Sequence, residues 1–187
     1  MKGIIFNLLE EFIIDQAGED AYEAILADCP LTTPDPGLIV APGTYPDEDF
    51  LSLAGCAAHL IGVGKGELLR RFGRFALPRL TRRYAKLFDQ FASPGDLLRH
   101  TGMIHQVEVR KLYRDAETPL FRCREGEDGG LLLEYRSSRG LCHLVEGLLD
   151  GLAGHYGCGV EYRQLECCHR GGRCCTFAVR FGAGAGA

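Results

Sequence analysis

The sequence predicts an α+β fold in which an N-terminal helical lobe packs on a C-terminal lobe of antiparallel sheet plus helices. Three observations carry this. Apolar residues recur at helical spacing through roughly the first hundred positions, two-residue alternation takes over near Val107, and turns rich in glycine or proline punctuate the alternating runs. At 187 residues the chain can bury a sizeable core as one domain. Residues 1–181 are expected to form that domain, about 1–62 as the helical part and about 63–181 as the α+β part. The Gly/Ala run 182–187 reads as a flexible tail.

The opening Met1–Leu9 segment is apolar and reads as a short helix closed by Glu10 and Glu11. Within Asp20–Ala27, Ala21, Ala24 and Ile25 recur at helical spacing. A loop rich in Pro, Thr and Gly runs from Pro30 to Thr44. Pro46–Ala54 then carries three acids in its first turn, where the positive end of a helix dipole favours them. A helix spans Lys65 to about Leu77, and Pro78, with no amide to donate, interrupts or ends it; another helical stretch reaches about Phe91. Ser93-Pro94-Gly95-Asp96 supplies an N-cap, a proline at the first helical position and an acid three residues past the cap, so a helix begins there and runs to about Ile104. Val107–Tyr113 alternates as a strand, Pro119–Arg124 offers a second, and Glu127-Asp128-Gly129-Gly130 turns the chain into a third, Leu131–Arg139. A helix over Leu141–His155 and a hairpin of Val160–Glu166 and Thr176–Phe181 complete the chain.

The net charge of -4 and the lack of a Lys/Arg block argue against nucleic acid as the main partner. Arg70, Arg71, Arg74, Arg79, Arg82 and Arg83 fall at helical spacing and read as a solvated helix face. The apolar N-terminus is too short to span a membrane and no small-residue cleavage site follows it, so a cytoplasmic protein with no membrane partner is expected. Nine cysteines are an odd number in a long chain, and four of them crowd into Cys167-Cys168 and Cys174-Cys175. That crowding points to a metal or a redox switch rather than a secreted disulfide framework.

Tyr135-x-Ser137-x-Arg139 places three donors on one side of an extended segment. A guanidinium fork takes a carboxylate bidentately and the phenol and hydroxyl add one donor each, so the row can clamp an anion; alone it also suits the solvated face of an edge strand. His105 stands where the capped helix ends, flanked by Met103, Ile104 and Val107. An imidazole, an apolar slot and donors for two carboxylates are what a haem requires.

With Met1-Lys2-Gly3-Ile4-Ile5-Phe6-Asn7, the His105 junction, Pro119 and the Tyr135-x-Ser137-x-Arg139 row in this order, the sequence resembles the H-NOX family along essentially its whole length. These are the haem-nitric oxide/oxygen binding domains, and the likeness is to the stand-alone bacterial type with a C-terminal cysteine cluster. The resemblance implies haem b between the two lobes and His105 as the proximal iron ligand. Tyr135, Ser137 and Arg139 would hold the propionates, and Pro119 would press on the porphyrin. Ile5, Leu9 and Leu144 would line the distal wall with Phe72 or Phe75 as neighbours, although ordinary core packing explains these residues equally well. Members that hold O2 stably carry a tyrosine nine residues after the clamp tyrosine; here that position is Leu144. Selectivity for NO, with CO as a surrogate and O2 largely excluded, is therefore expected. In the implied mechanism NO binds trans to His105 and weakens or breaks the iron–histidine bond, and the relaxing haem rotates one lobe against the other. No turnover is implied, and the signal would pass to a separate histidine kinase or cyclic-dinucleotide enzyme.

Zinc favours four thiolates in a tetrahedron. Cys167 and Cys175 pair across a turn around Gly171, and Cys142 with Cys174 would complete a set, with Cys168, Cys158 or His169 as alternatives. The H-NOX resemblance extends to members with a zinc-binding cysteine cluster in this region; free thiols or one disulfide are the plainer reading. The rival function is accordingly a zinc/thiol redox sensor in which haem is secondary and thiolate oxidation ejects the metal. A thiol oxidoreductase is disfavoured, because the cysteines form adjacent pairs rather than a C-x-x-C motif.

Overall fold

The computed structural model describes residues 1–126 and 129–182, so Glu127 and Asp128 of the expected turn and the tail beyond Gly182 lie outside it. Helix α1 (Gly3–Ala17) buries Ile4, Phe6, Leu8, Leu9, Phe12 and Ile13, and α2 (Glu19–Asp28) buries Tyr22 and Ile25. Helix α3 (Asp47–Ile61) starts on the three acids and stops at Gly62, whose left-handed backbone (φ 76°) suits a residue without Cβ. Helix α4 (Lys65–Arg83) leads through the short α5 (Ala85–Phe88) to α6 (Pro94–Met103). Helix α8 (Cys142–His155) packs along α4, and glycines set the separation. A Cβ on Gly73 would stand 2.6 Å from the Leu144 carbonyl oxygen, and one on Gly147 would overlap the Arg70 carbonyl. No helix among the described residues is long and apolar enough to cross a membrane.

The strands β1 (Leu120–Glu125), β2 (Leu131–Arg136), β3 (Val160–Glu166) and β4 (Cys175–Phe181) form one antiparallel sheet in the order β1-β2-β4-β3. Register pairs Phe121 with Tyr135 and Tyr135 with Cys175, so the buried face carries Phe121, Leu133, Tyr135, Cys175 and Phe177. These side chains join α1, α3, α4 and the start of α8 in a single hydrophobic cluster. Leu77, Phe91, Leu97, Ile104 and Leu152 make a smaller second cluster.

Four expectations are corrected. Pro78 lies inside α4 without ending it, because Leu68, Leu69, Phe72, Ala76 and Leu77 are buried on one stripe and hold the helix past the missing amide. Of the expected strand Val107–Tyr113, residues 107–112 are helical; they continue α6 through a π turn into α7 (Val109–Leu112). The third expected strand ends at Arg136, and Ser137–Arg139 belong to a turn. The arginine stripe of α4 is only partly solvated. Arg70 and Arg74 both reach Asp150 of α8 at 3.0 Å, while Arg79 lies 3.3 Å over the Phe75 ring.

Candidate ligand site and cysteine cluster

His105 lies in the π turn Ile104–Glu108 between α6 and α7. Such wide turns recur at functional positions. The Ser93 hydroxyl accepts the Asp96 amide at 3.1 Å and starts α6, which carries the Thr101 carbonyl to 2.9 Å from His105 Nδ1. With Nδ1–H donating there, the Nε2 lone pair is the one presented to a metal. Nε2 makes no hydrogen bond among the described residues. Burial pushes His105 below the ordinary imidazole range, against the opposing pull of the Thr101 carbonyl, and the neutral ring is the ligating form.

The His105 ring centre is 4.9 Å from that of Phe121, which is 5.3 Å from that of Tyr135. Tyr135 is buried and its hydroxyl accepts the Leu141 amide at 3.3 Å. Burial raises its pKa, while the Ser137 hydroxyl, the Leu141 amide and Arg139 pull the other way. The clamp residues do not alternate along a strand; the turn after Arg136 curls Ser137 and Arg139 back, and Ser137 Oγ accepts the Arg139 amide at 3.3 Å.

The Arg139 side chain is 9% exposed. It donates to the Glu117 carbonyl at 2.9 Å, and its Nε stands 2.8 Å from Asp47 Oδ2. That close approach is an ion pair without hydrogen-bond alignment, so Nε is a buried donor with no aligned acceptor. Burial opposes ionisation of Asp47, but Arg139 and the Met1 amine, 2.6 Å from Oδ1, outweigh it and hold the carboxyl below its usual range. A neutral imidazole with an available Nε2, aromatic neighbours and a buried guanidinium whose Nε has no aligned acceptor fit the demands of a haem with its propionates. Pro119 is half-buried just ahead of β1, and Ile5, Leu9, Phe72, Phe75 and Leu144 belong to the cluster that contains Phe121 and Tyr135. Two surface cavities lie elsewhere. One of about 450 Å³ is lined by Ser93, Arg99, Tyr156 and Arg180, and a smaller one by Arg122, Arg136 and Arg173; neither includes His105 or Arg139.

Three of the expected metal ligands meet. The sulfurs of Cys142, Cys167 and Cys175 all lie within 4.8 Å of one another and all three residues are buried. Cys168 Sγ is 3.4 Å from Cys175 Sγ, whereas Cys174 Sγ turns to Glu166 and Thr176. His169 is spent on the Gly140 carbonyl at 2.7 Å. Burial works against a Cys167 thiolate, but the His169 amide, the neighbouring thiols and Arg170 outweigh it and lower its pKa. Burial raises the pKa of Cys142 and of Cys175.

Sequence reasoning did not single out Phe121, Thr101, Asp47 or Glu117 as site residues. The inward alternation of Phe121 with Cys123 was a readable signal for the first. For the others the site is made by backbone carbonyls and a distant helix start, which leave no local pattern.

A histidine presented from a helix turn and a buried arginine beside an antiparallel sheet fit the class of domains that hold a haem. The chain belongs to the Haem-NO-binding family, whose model matches residues 2–164. Members are H-NOX domains; they bind haem and gases such as NO and CO, and they signal to partners. Its structure superposes with a TM-score of 0.90 on an H-NOX protein from S. oneidensis in the Fe(II)NO state, with 26% identity over 97% of this chain and 99% of that one. A Shewanella oneidensis H-NOX domain in the Fe(II)CO state gives 0.87, again at 26% identity, over 98% of this chain and 99% of that one. Among curated proteins, soluble guanylate cyclase gcy-34 of Caenorhabditis elegans is 26% identical over 162 residues, 82% of this chain and 23% of that protein. Guanylate cyclase soluble subunit beta-2 of Rattus norvegicus is 48% identical over 42 residues, 22% of this chain and 6% of that protein. The chain thus spans less than a quarter of the length of these cyclases.

Proposed function

We propose that this chain senses NO at ferrous haem b, responds to CO as a surrogate, declines O2, and passes the signal to a separate histidine kinase or cyclic-dinucleotide enzyme in a bacterial cytoplasm. The observation that carries the reading is His105, whose Nδ1–H is committed to Thr101 and whose Nε2 is left for iron. Ferrous haem, when bound, supplies the gas-binding site. The chain's own residues do the rest. Tyr135, Ser137 and the Arg139 guanidinium would take the propionates, and Asp47 balances the guanidinium charge. Pro119 would brace the porphyrin from just ahead of β1. Ile5, Leu9 and Leu144 wall the distal side, and none of the three offers a side-chain donor to a polar ligand. Residues 1–62 would then move against 63–181 as the ligation changes.

The test is an absorption spectrum of the ferrous protein. The Soret band should shift on NO and stay in air. His105→Gly should lose the five-coordinate ferrous spectrum and regain it with added imidazole; an unchanged spectrum in that variant would sink the assignment.

A second reading, a zinc/thiol redox sensor with haem secondary, rests on the three converging sulfurs. The Cys142 and Cys167 sulfurs are 4.0 Å apart, near the separation that two thiolates adopt on one tetrahedral zinc. Cys142, Cys167 and Cys175 would ligate, with Cys168 the nearest fourth sulfur and Cys174 the alternative. Metal analysis should find stoichiometric zinc that is lost with Cys175→Ser and on peroxide treatment. A bare trace of zinc with every thiol titratable would end this reading.

A further inference from the structure

Two more thiols meet outside the C-terminal cluster. Cys29 caps the end of α2 and is buried; Cys56 lies on α3 and is half-buried. Their sulfurs are 2.8 Å apart as free thiols, closer than the 3.4 Å of Cys168 and Cys175 or the 4.0 Å of Cys142 and Cys167. A disulfide bond is about 2.05 Å long, so the two sulfurs need approach by less than about 1 Å.

The backbone around them is braced. The Cys29 amide donates to the Ile25 carbonyl at 2.9 Å, and just beyond it Thr32 and Thr33 grip the Asp49 carboxylate of α3 through their amides and hydroxyls. Asp49 and Cys56 are about two turns apart on the same side of α3. The Asp49 latch therefore fixes the register in which Cys29 meets Cys56. Neither the ligand site nor the zinc reading uses this pair.

We propose that Cys29 and Cys56 form a thiol–disulfide site, oxidised by low-molecular-weight disulfides, that joins the end of α2 to α3. Cys56, the more open of the two, attacks as thiolate on one sulfur of the small disulfide. The disulfide bond breaks, one small thiolate leaves, and Cys56 carries the other half as a mixed disulfide. The Cys29 sulfur then attacks the Cys56 sulfur, its proton passing to the second departing thiolate. Two protein thiols are oxidised and one small disulfide is reduced to two thiols. Burial first, then the Cys56 contact and the Asp49 charge, push the Cys29 thiol up to about 12, which suits it to act second, on a sulfur already placed against it. The site stands independently of the gas-sensing reading.

The reduced full-length protein is incubated with oxidised glutathione, quenched in acid, and each cysteine is mapped by differential alkylation and mass spectrometry. A Cys29–Cys56 peptide should appear, vanish with dithiothreitol, and form at least about tenfold faster than in urea, because folding holds the sulfurs together. Cys29→Ala should retain glutathione on Cys56, and Cys56→Ala should leave Cys29 alkylatable. The proposal is overturned if both residues stay alkylatable while other cysteines oxidise, if folding gives no rate advantage, or if Cys29 in Cys56→Ala takes up glutathione as fast as Cys56 does in Cys29→Ala.

Discussion

Asp49 is 2% exposed and charged. Burial resists its ionisation, but the Thr33 hydroxyl and the amides of Thr32 and Thr33 prevail and hold its pKa below the usual carboxylate value. A depressed folded pKa contributes stability that is present above the unfolded value of about 3.9 and fades as pH falls through the folded one. Asp49→Asn should therefore cost about 1–3 kcal/mol at neutral pH, and the gap to the parent chain should narrow as the solution is acidified below about pH 4. Thermal midpoints across that range check both parts. In the sequence Asp49 is one of three consecutive acids that suit a helix start, and nothing in that run separates it from Asp47 or Glu48. Only the fold shows that Asp47 meets Arg139 while Asp49 meets two threonines. His105 and the row of Tyr135, Ser137 and Arg139 could be nominated from the sequence because their residue types are uncommon in that order; Thr101 could not, because its contribution is a carbonyl.

The close pair of helices α4 and α8 depends on glycine. Alanine at Gly147 would gain about 1 kcal/mol of helix propensity, but its methyl would meet the Arg70 carbonyl, a backbone atom that cannot rotate aside. Overpacking of this kind costs about 1–3 kcal/mol or more, so the steric penalty should win. Gly147→Ala should lower the urea midpoint with little change in slope. At this scale the sequence was read well where period and punctuation agreed. The Ser93 cap, the β3–β4 hairpin and α8 from Cys142 to His155 are examples. It was misread where one signal overrode another. Pro78 suggested a stop, yet a buried stripe carried α4 through it, and the two valines of Val107–Val109 suggested a strand where the chain is winding as helix.

Across the whole molecule, the switch from helical to two-residue period was enough to give the fold class, because one face of every strand and one stripe of most long helices feed the same core. The proposed ligand site was less legible. It gathers Asp47 from a helix start, His105 from a wide turn, Phe121 and Tyr135 from paired strands and Arg139 from the turn after them, segments that no local pattern connects. The wide turn at His105 also fixes an angle. A regular helix advances about 100° per residue, so the extra residue held between Ile104 and Glu108 acts as a phase offset between the face that α6 lays on the sheet and the direction in which α7 leaves. Deleting Ile104 would be less a shortening than a rotation: the imidazole would lose its bearing on Phe121, though every residue of α6 kept its place.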